Sequence, residues 1–228
     1  MRIPSLPFLT FEVACDAIVQ GKVVLFPTET FYGLGCDAMN PDAVGAVFSL
    51  KKRALSLPLP VVIGAREKLA AVVSHIPPLA ETLMDTFWPG PLSIVMPAKP
   101  EVPDLVVAHA GRIAVRFSPH PATLHLCQAT DKVLVASSAN LSGSPPVSRP
   151  EDIDPALWGN SAGIYAAGPE PAGGLPSTVV DVVQEHKKSC IRVLRQGAIS
   201  LQALKGAGFN VSDIYGPLPQ YTHGGYNE

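Results

Sequence analysis

KVVLFPTETFYGLGCDA, residues 22–38, is the stretch on which the reading of the fold turns. Its first five residues form a β-branched and aromatic run with Pro27 behind it, the pattern of a buried strand that runs out into a loop. The rest combines proline, two threonines, an aromatic pair and two glycines with neither a 2-residue nor a 3.6-residue period, and predicts a shaped loop over 27–40. Gly33 to Ala38 fits a relaxed G-x-G-x-x-A between a strand and a helix, which raises a dinucleotide-binding turn. That fingerprint needs its glycines directly behind the strand, and here PTETF and Tyr32 intervene.

Working outward, FEVACDAIVQ (11–20) places Phe11, Ala14, Cys15 and Ile18 at helical spacing and ends at Gly21. On the other side, Asn40 and Pro41 suit the cap and first position of a helix over 41–52, so Lys51 falls at or just after its end. Strands are predicted at LPVVIG (59–64), LSIVMPA (92–98), RIAVRFS (112–118) and KVLVASSAN (132–140), with helices over 66–76, 77–88 and 121–130. GIYAA (163–167), STVVDVV (177–183) and IRVLR (191–195) complete the strands, and a short helix from 201 leads into a polar, Gly-rich end expected to be loose. Strands and helices intermix without strict alternation. The expected class is therefore α/β, a twisted mixed parallel/antiparallel sheet with helices packed on it.

Composition narrows the function classes. With 228 residues, 47% hydrophobic and 16% charged, the chain carries enough apolar material for a substantial core, which excludes disorder. Seventeen Lys and Arg against 19 Asp and Glu give a net charge of −2 with scattered basic residues, which argues against a dedicated nucleic-acid binder and leaves only a local RNA contact. Four widely spaced cysteines without a C-x-x-C pair and no basic-then-apolar start point to a reducing cytoplasm. Proline, glycine or a charge interrupts every apolar run before the roughly 18 residues a membrane span needs, so a soluble protein is expected with no membrane partner. The 24 prolines imply short, sharply ended elements.

There is no G-x-x-x-x-G-K-[ST] and no G-x-S-x-G, and His120, His125 and Cys127 lack metal-ligand spacing. Ser138 in ASSANLSG lies behind the run VLVA, and two readings stay open: a strand end presenting hydroxyl, amide and N–H groups to an anion, or a turn bonded to its own backbone. The cations say more. Lys51-Lys52-Arg53 closes a helix, Arg112 and Arg116 flank IAV, and Arg192 and Arg195 flank VL; Arg116 and Arg195 each follow an apolar run, which places a guanidinium fork at a strand end where it suits phosphate or carboxylate.

PTETFYGLGCDA followed by Lys51-x-Arg53, then IAVR, SSANLSG, PSTVVDV and IRVLRQGAI, resembles the YrdC/TsaC family of threonylcarbamoyl-AMP synthases over about residues 11–200. The resemblance is to the short, single-domain form, and it implies a YrdC-like catalytic domain over 1–200 with a partly flexible C-terminal tail over 201–228. It implies a nucleotidyltransferase that forms threonylcarbamoyl-adenylate from L-threonine, bicarbonate or CO2, and ATP accompanied by Mg²⁺, releasing pyrophosphate. The product feeds modification of adenosine at position 37 of tRNA, with tRNA threonylcarbamoyl-transferase proteins as downstream partners. Carried over by position, Lys51, Arg53, Ser138, Asn140 and Arg195 correspond to ATP-binding groups, with Lys51 and Arg53 in the catalytic role. Thr30, Tyr32, Arg116, Ala136 and Ser177 correspond to the threonine site, Arg116 meeting the carboxylate. No resident metal site is implied. Leu57 stands where many members carry a polar residue, and Val62 where some carry His. The family also includes proteins described as double-stranded RNA binders and ribosome-maturation factors, the alternative class, and a relative domain that forms carbamoyl-adenylate in longer chains.

Overall fold

The computed structural model describes residues 6–185 and 188–212. The chain begins with α1 (Phe11–Val19), whose amide of Val13 is capped by the Thr10 hydroxyl and whose Ala14, Ala17 and Ile18 face inward. Strands β1 (Val24–Pro27) and β2 (Tyr32–Gly35) then pair antiparallel, from Val24 opposite Gly35 to Pro27 opposite Tyr32. The loop expected over 27–40 thus contains a strand. Its signature is hidden because two of its four residues are glycine, and Gly35 is needed there: a Cβ would lie 1.7 Å from the Val135 carbonyl oxygen. Gly33 and Gly35 are strand residues and form no phosphate turn at a helix start.

Helix α2 (Pro41–Lys51) starts on the Asn40 side chain, which accepts from the amides of Asp42 and Ala43 at 3.1 Å, and ends at Lys52 in the left-handed region. After β3 (Val61–Ile63), the helix expected over 66–76 is much shorter: a 3₁₀ turn at Arg66–Lys68, then α3 (Leu69–Val72). The β-branched Val73 is extended instead and bridges Ala98. Next come α4 (Pro78–Phe87), β4 (Leu92–Pro97), α5 (Asp104–Val107), β5 (Arg112–Phe117) and α6 (Pro121–Thr130). The expected strand over 132–140 is broken at Ala136 into β6 (Leu134–Val135) and β7 (Ser137–Ser138). α7 (Pro155–Trp158) follows, and GIYAA forms only isolated bridges, Ile164 sitting beside Phe8 and Leu25. The hairpin β8 (Thr178–Glu185) and β9 (Lys188–Arg195) leads to α8 (Leu201–Gly206) and β10 (Val211–Ser212). The sheet thus continues past residue 200, with Val211 parallel to Ile191 and Leu204 buried; the end expected to be loose falls on residues 213–228, outside those described.

Among the described residues the strands form two sheets, β1-β2-β7 and the mixed β10-β9-β8-β4-β5-β3-β6. In the large sheet β4 runs antiparallel to β5 and parallel to β8, while β8 runs antiparallel to β9. These directions bring the starts of β4 and β8 and the ends of β5 and β9 to one end of the sheet. The crossing from β6 to β7 joins the two sheets: the Ala136 amide donates to Pro60 and Gly33 pairs with Ser138. The apolar core runs from Val44, Val47 and Phe48 of α2 through Ile63, Ile94, Met96 and Val115 to Val180 and Ile191. Among the described residues no helix is long and apolar enough to cross a membrane.

Candidate active site

Where the sheets meet, a cavity of about 270 Å³ opens, walled by Thr30, Tyr32 and Gly33 from the first hairpin, Pro60–Val62 at β3, and Ala136–Ser138 from the crossing. The sheet end adds Ser93, Arg116, Ser177 and Arg195, and the segments after α2 and β7 add Arg53, Asn140 and Ser144. Nine of the ten residues that the sequence singles out therefore line one space, although they come from six separate segments; the tenth, Lys51, lies behind the wall.

The threonine hydroxyls shape the turn. Thr28 Oγ1 donates to the Phe31 carbonyl at 2.8 Å and lies 3.3 Å from Thr30 Oγ1, so the turn closes on its own side chain and presents Thr30 to the cavity. Tyr32 stays a neutral phenol, pushed up to about 12 by burial and by the carboxylates of Glu151 and Glu170.

The three guanidinium groups of the wall are held differently. Arg195 donates through Nε and Nη2 to the Ser177 carbonyl (3.2 and 2.8 Å) and through Nη2 to Ser177 Oγ at 3.0 Å. Ser177 Oγ in turn meets Ser93 Oγ at 3.1 Å. Arg53 donates to the carbonyls of Leu57 (3.3 Å) and Pro58 (2.8 Å). Arg116 instead donates to the Glu29 carboxylate, whose second oxygen accepts from Ser118 Oγ. Burial lowers the pKa of Arg53 and of Arg195, the latter also through Arg116 and Arg53, yet a guanidinium stays charged at neutral pH.

Lys51 is 2% exposed, and its ammonium donates to the carbonyls of Ser138 and Asn140 (2.7 Å to the latter) rather than into the cavity. Burial and then the neighbouring Arg53 push it down to about 8. It ties the end of α2 to the turn that carries Ser138 and Asn140. The Asn140 amide nitrogen donates to Leu141 and Ser144, which leaves its buried Oδ1 without a partner. The turn that carries Ser138 and Asn140 is bonded to its own backbone, and both residues also line the cavity.

At the two departures, Leu57 contributes its carbonyl while its side chain is exposed, and Val62 is a buried part of the wall. Sequence reasoning passed over Glu29 and Ser93. Glu29 is the one carboxylate of PTETFYGLG, which was a signal; Ser93 is masked inside an apolar strand. His120 caps α6, its Nδ1 accepting from the Ala122 amide at 3.2 Å and its Nε2 donating to Pro169 at 2.9 Å. Among the described residues no group of three His, Cys, Asp or Glu side chains is placed to hold a metal ion.

The Sua5/YciO/YrdC family, described as telomere recombination, matches residues 16–197. A threonylcarbamoyl-AMP synthase of Xylella fastidiosa (strain 9a5c) is 37% identical over 182 residues, which is 78% of this chain and 96% of the relative. One from Pyrococcus abyssi is 34% identical over 85% of this chain, which spans only 56% of that relative. The crystal structure of P. abyssi Sua5 complexed with L-threonine superposes with a TM-score of 0.81 at 32% identity, covering 89% of this chain and 58% of that one. The strand directions, the cavity and these matches lead to one conclusion: the chain belongs to the Sua5/YciO/YrdC family.

Proposed function

We propose that this chain is an L-threonylcarbamoyl-adenylate synthase, which joins L-threonine, bicarbonate or CO2, and ATP and releases pyrophosphate. The observation that carries the reading is the character of the cavity: three guanidinium groups, several hydroxyls, and no histidine, cysteine or carboxylate among its described lining residues. Such a wall suits a reaction whose nucleophile is already an anion. A carbamate oxygen of N-carboxythreonine forms a bond to the α-phosphorus, the bond from that phosphorus to the β-bridging oxygen breaks, and its electron pair leaves with pyrophosphate. What such a transfer needs from the protein is alignment and charge stabilisation.

In this reading Arg53 and Arg195 take the nucleotide phosphates, with Ser138 and Asn140 on the same side. Arg116 takes the threonine carboxylate, Thr30 and Ser177 hydrogen-bond its polar ends, and Tyr32 and Ala136 form the wall. Lys51 acts through the turn it holds. Mg²⁺ travels on the triphosphate, and the buried, unpartnered Asn140 Oδ1 is a hard oxygen that fits such an ion. The adenylate is short-lived cargo for threonylcarbamoyl transfer to tRNA, placing the enzyme with its partner proteins in the cytoplasm. The test is pyrophosphate release with each substrate omitted in turn. Release should require ATP, L-threonine, bicarbonate and Mg²⁺ together and yield an adenylate; release that proceeds equally without threonine, or yields ADP, overturns the reading. An RNA-binding module would release none.

A further inference from the structure

The three guanidinium groups of the cavity are not electrostatically equivalent. Arg53 and Arg195 donate to neutral carbonyls and a hydroxyl and keep their full charge toward the cavity. Arg116 is ion-paired with Glu29, the two side chains being 7% and 14% exposed. Glu29 is held from three sides. Its carbonyl accepts from the Ala172 amide at 3.2 Å, one carboxylate oxygen accepts from Arg116 Nη1, and the other accepts from Ser118 Oγ. Ser118 is fully buried, and its Oγ also accepts from the His120 amide at 3.3 Å, so the hydroxyl that pins Glu29 is itself fixed. Arg116 lines the cavity and Glu29 does not. The carboxylate therefore sits behind the guanidinium, uses one of its N–H groups, and cancels its charge, while the remaining donors of the fork stay available.

We propose that Glu29 is a specificity-determining residue that makes the Arg116 end of the cavity select a zwitterionic amino acid and refuse free phosphate-type anions, which are left to Arg53 and Arg195. The inference rests on the assignment of the Arg116 end to threonine. A zwitterion brings no net charge, so it hydrogen-bonds to the Arg116 fork without crowding charge against Glu29. A phosphate dianion at the same place meets the Glu29 carboxylate with little net positive charge to offset the repulsion. Without Glu29 all three guanidinium groups would attract phosphate, and the nucleotide or its pyrophosphate could occupy the amino-acid end.

The experiment is inhibition of pyrophosphate release by inorganic phosphate in wild type, Glu29→Gln and Glu29→Asp. In wild type phosphate should compete with ATP and not with threonine. Glu29→Gln keeps the shape and removes the charge; phosphate should then compete with threonine, raising the apparent threonine KM about tenfold or more at phosphate concentrations that leave the wild-type threonine KM unchanged. Glu29→Asp keeps the charge with a shorter reach, so its threonine KM should rise while phosphate remains excluded from that end. The proposal is overturned if phosphate competes with threonine in wild type, a result that needs no variant to fold, or if Glu29→Gln keeps the wild-type inhibition pattern. If wild type releases no pyrophosphate at all, the adenylate reading fails. Calorimetric titration of inorganic phosphate then still decides for Glu29: one additional phosphate bound by Glu29→Gln supports it, and equal binding overturns it.

Discussion

Lys51→Met separates the electrostatic cost of the buried lysine from its structural use. In wild type the ammonium is 2% exposed and its pKa falls from 10.5 to about 8. At roughly 1.4 kcal/mol per tenfold change, that fall corresponds to a penalty of about 3 kcal/mol for keeping the charged form folded. Methionine removes the penalty and fills similar space, but it leaves two carbonyls without their donor. Ser138 keeps a hydrogen bond from the Asn140 amide at 2.9 Å, so the loss falls mainly on the Asn140 carbonyl and costs about 1–3 kcal/mol. The two effects oppose, and at pH 7 the variant should lie within about 2 kcal/mol of wild type. Their pH dependence tells them apart. The native pKa lies below the unfolded value, so between about pH 8 and 10.5 the unfolded chain binds more protons and wild type gains stability as pH rises. Below pH 8 the penalty is fully present. Urea denaturation of both proteins at pH 7, 8, 9 and 10 should therefore show the gap moving in favour of wild type by up to about 3 kcal/mol. Curves that run parallel across that range would refute the desolvation argument. At pH 7 the ATP KM should also rise, about tenfold, because the Ser138–Asn140 turn has lost its anchor; an unchanged KM would show that the turn holds without Lys51.

Arg53→Ala and Arg195→Ala should raise the ATP KM and Arg116→Ala the threonine KM, each by about 1.5–3 kcal/mol, which calorimetry with the separate ligands resolves. Loss of ATP affinity alone from Arg116→Ala would reverse the division of the cavity. Gly35→Ala should destabilise by about 3 kcal/mol or more, because its Cβ would meet the Val135 carbonyl oxygen at 1.7 Å across the junction of the sheets; thermal unfolding reads the loss directly. Leu57→Ala should leave the ATP KM within about threefold of wild type, since the carbonyl rather than the 48% exposed side chain meets Arg53.

Local signals in this chain were read where the physics is local. Asn40 and Pro41 announce α2 because an N-cap and a fixed φ act within one turn, and PATLHLCQAT matches α6 from Pro121 to Thr130. The apolar runs of β1, β4 and β5 announce strands, and Arg116 and Arg195, which follow such runs, line the cavity. The rest depends on partners far away along the chain. That residues 132–140 divide between two sheets follows from pairings with Pro60, Cys36 and Gly33, and β2 is a strand because its glycines let the Val135 carbonyl approach. Lys51 reaches Ser138 across 87 positions and Asn140 across 89, and Arg116 reaches Glu29 across 87. Residue type announces that a guanidinium or an ammonium is present, but only tertiary packing decides whether a carboxylate or a carbonyl stands behind it, and therefore how much of its charge the cavity receives.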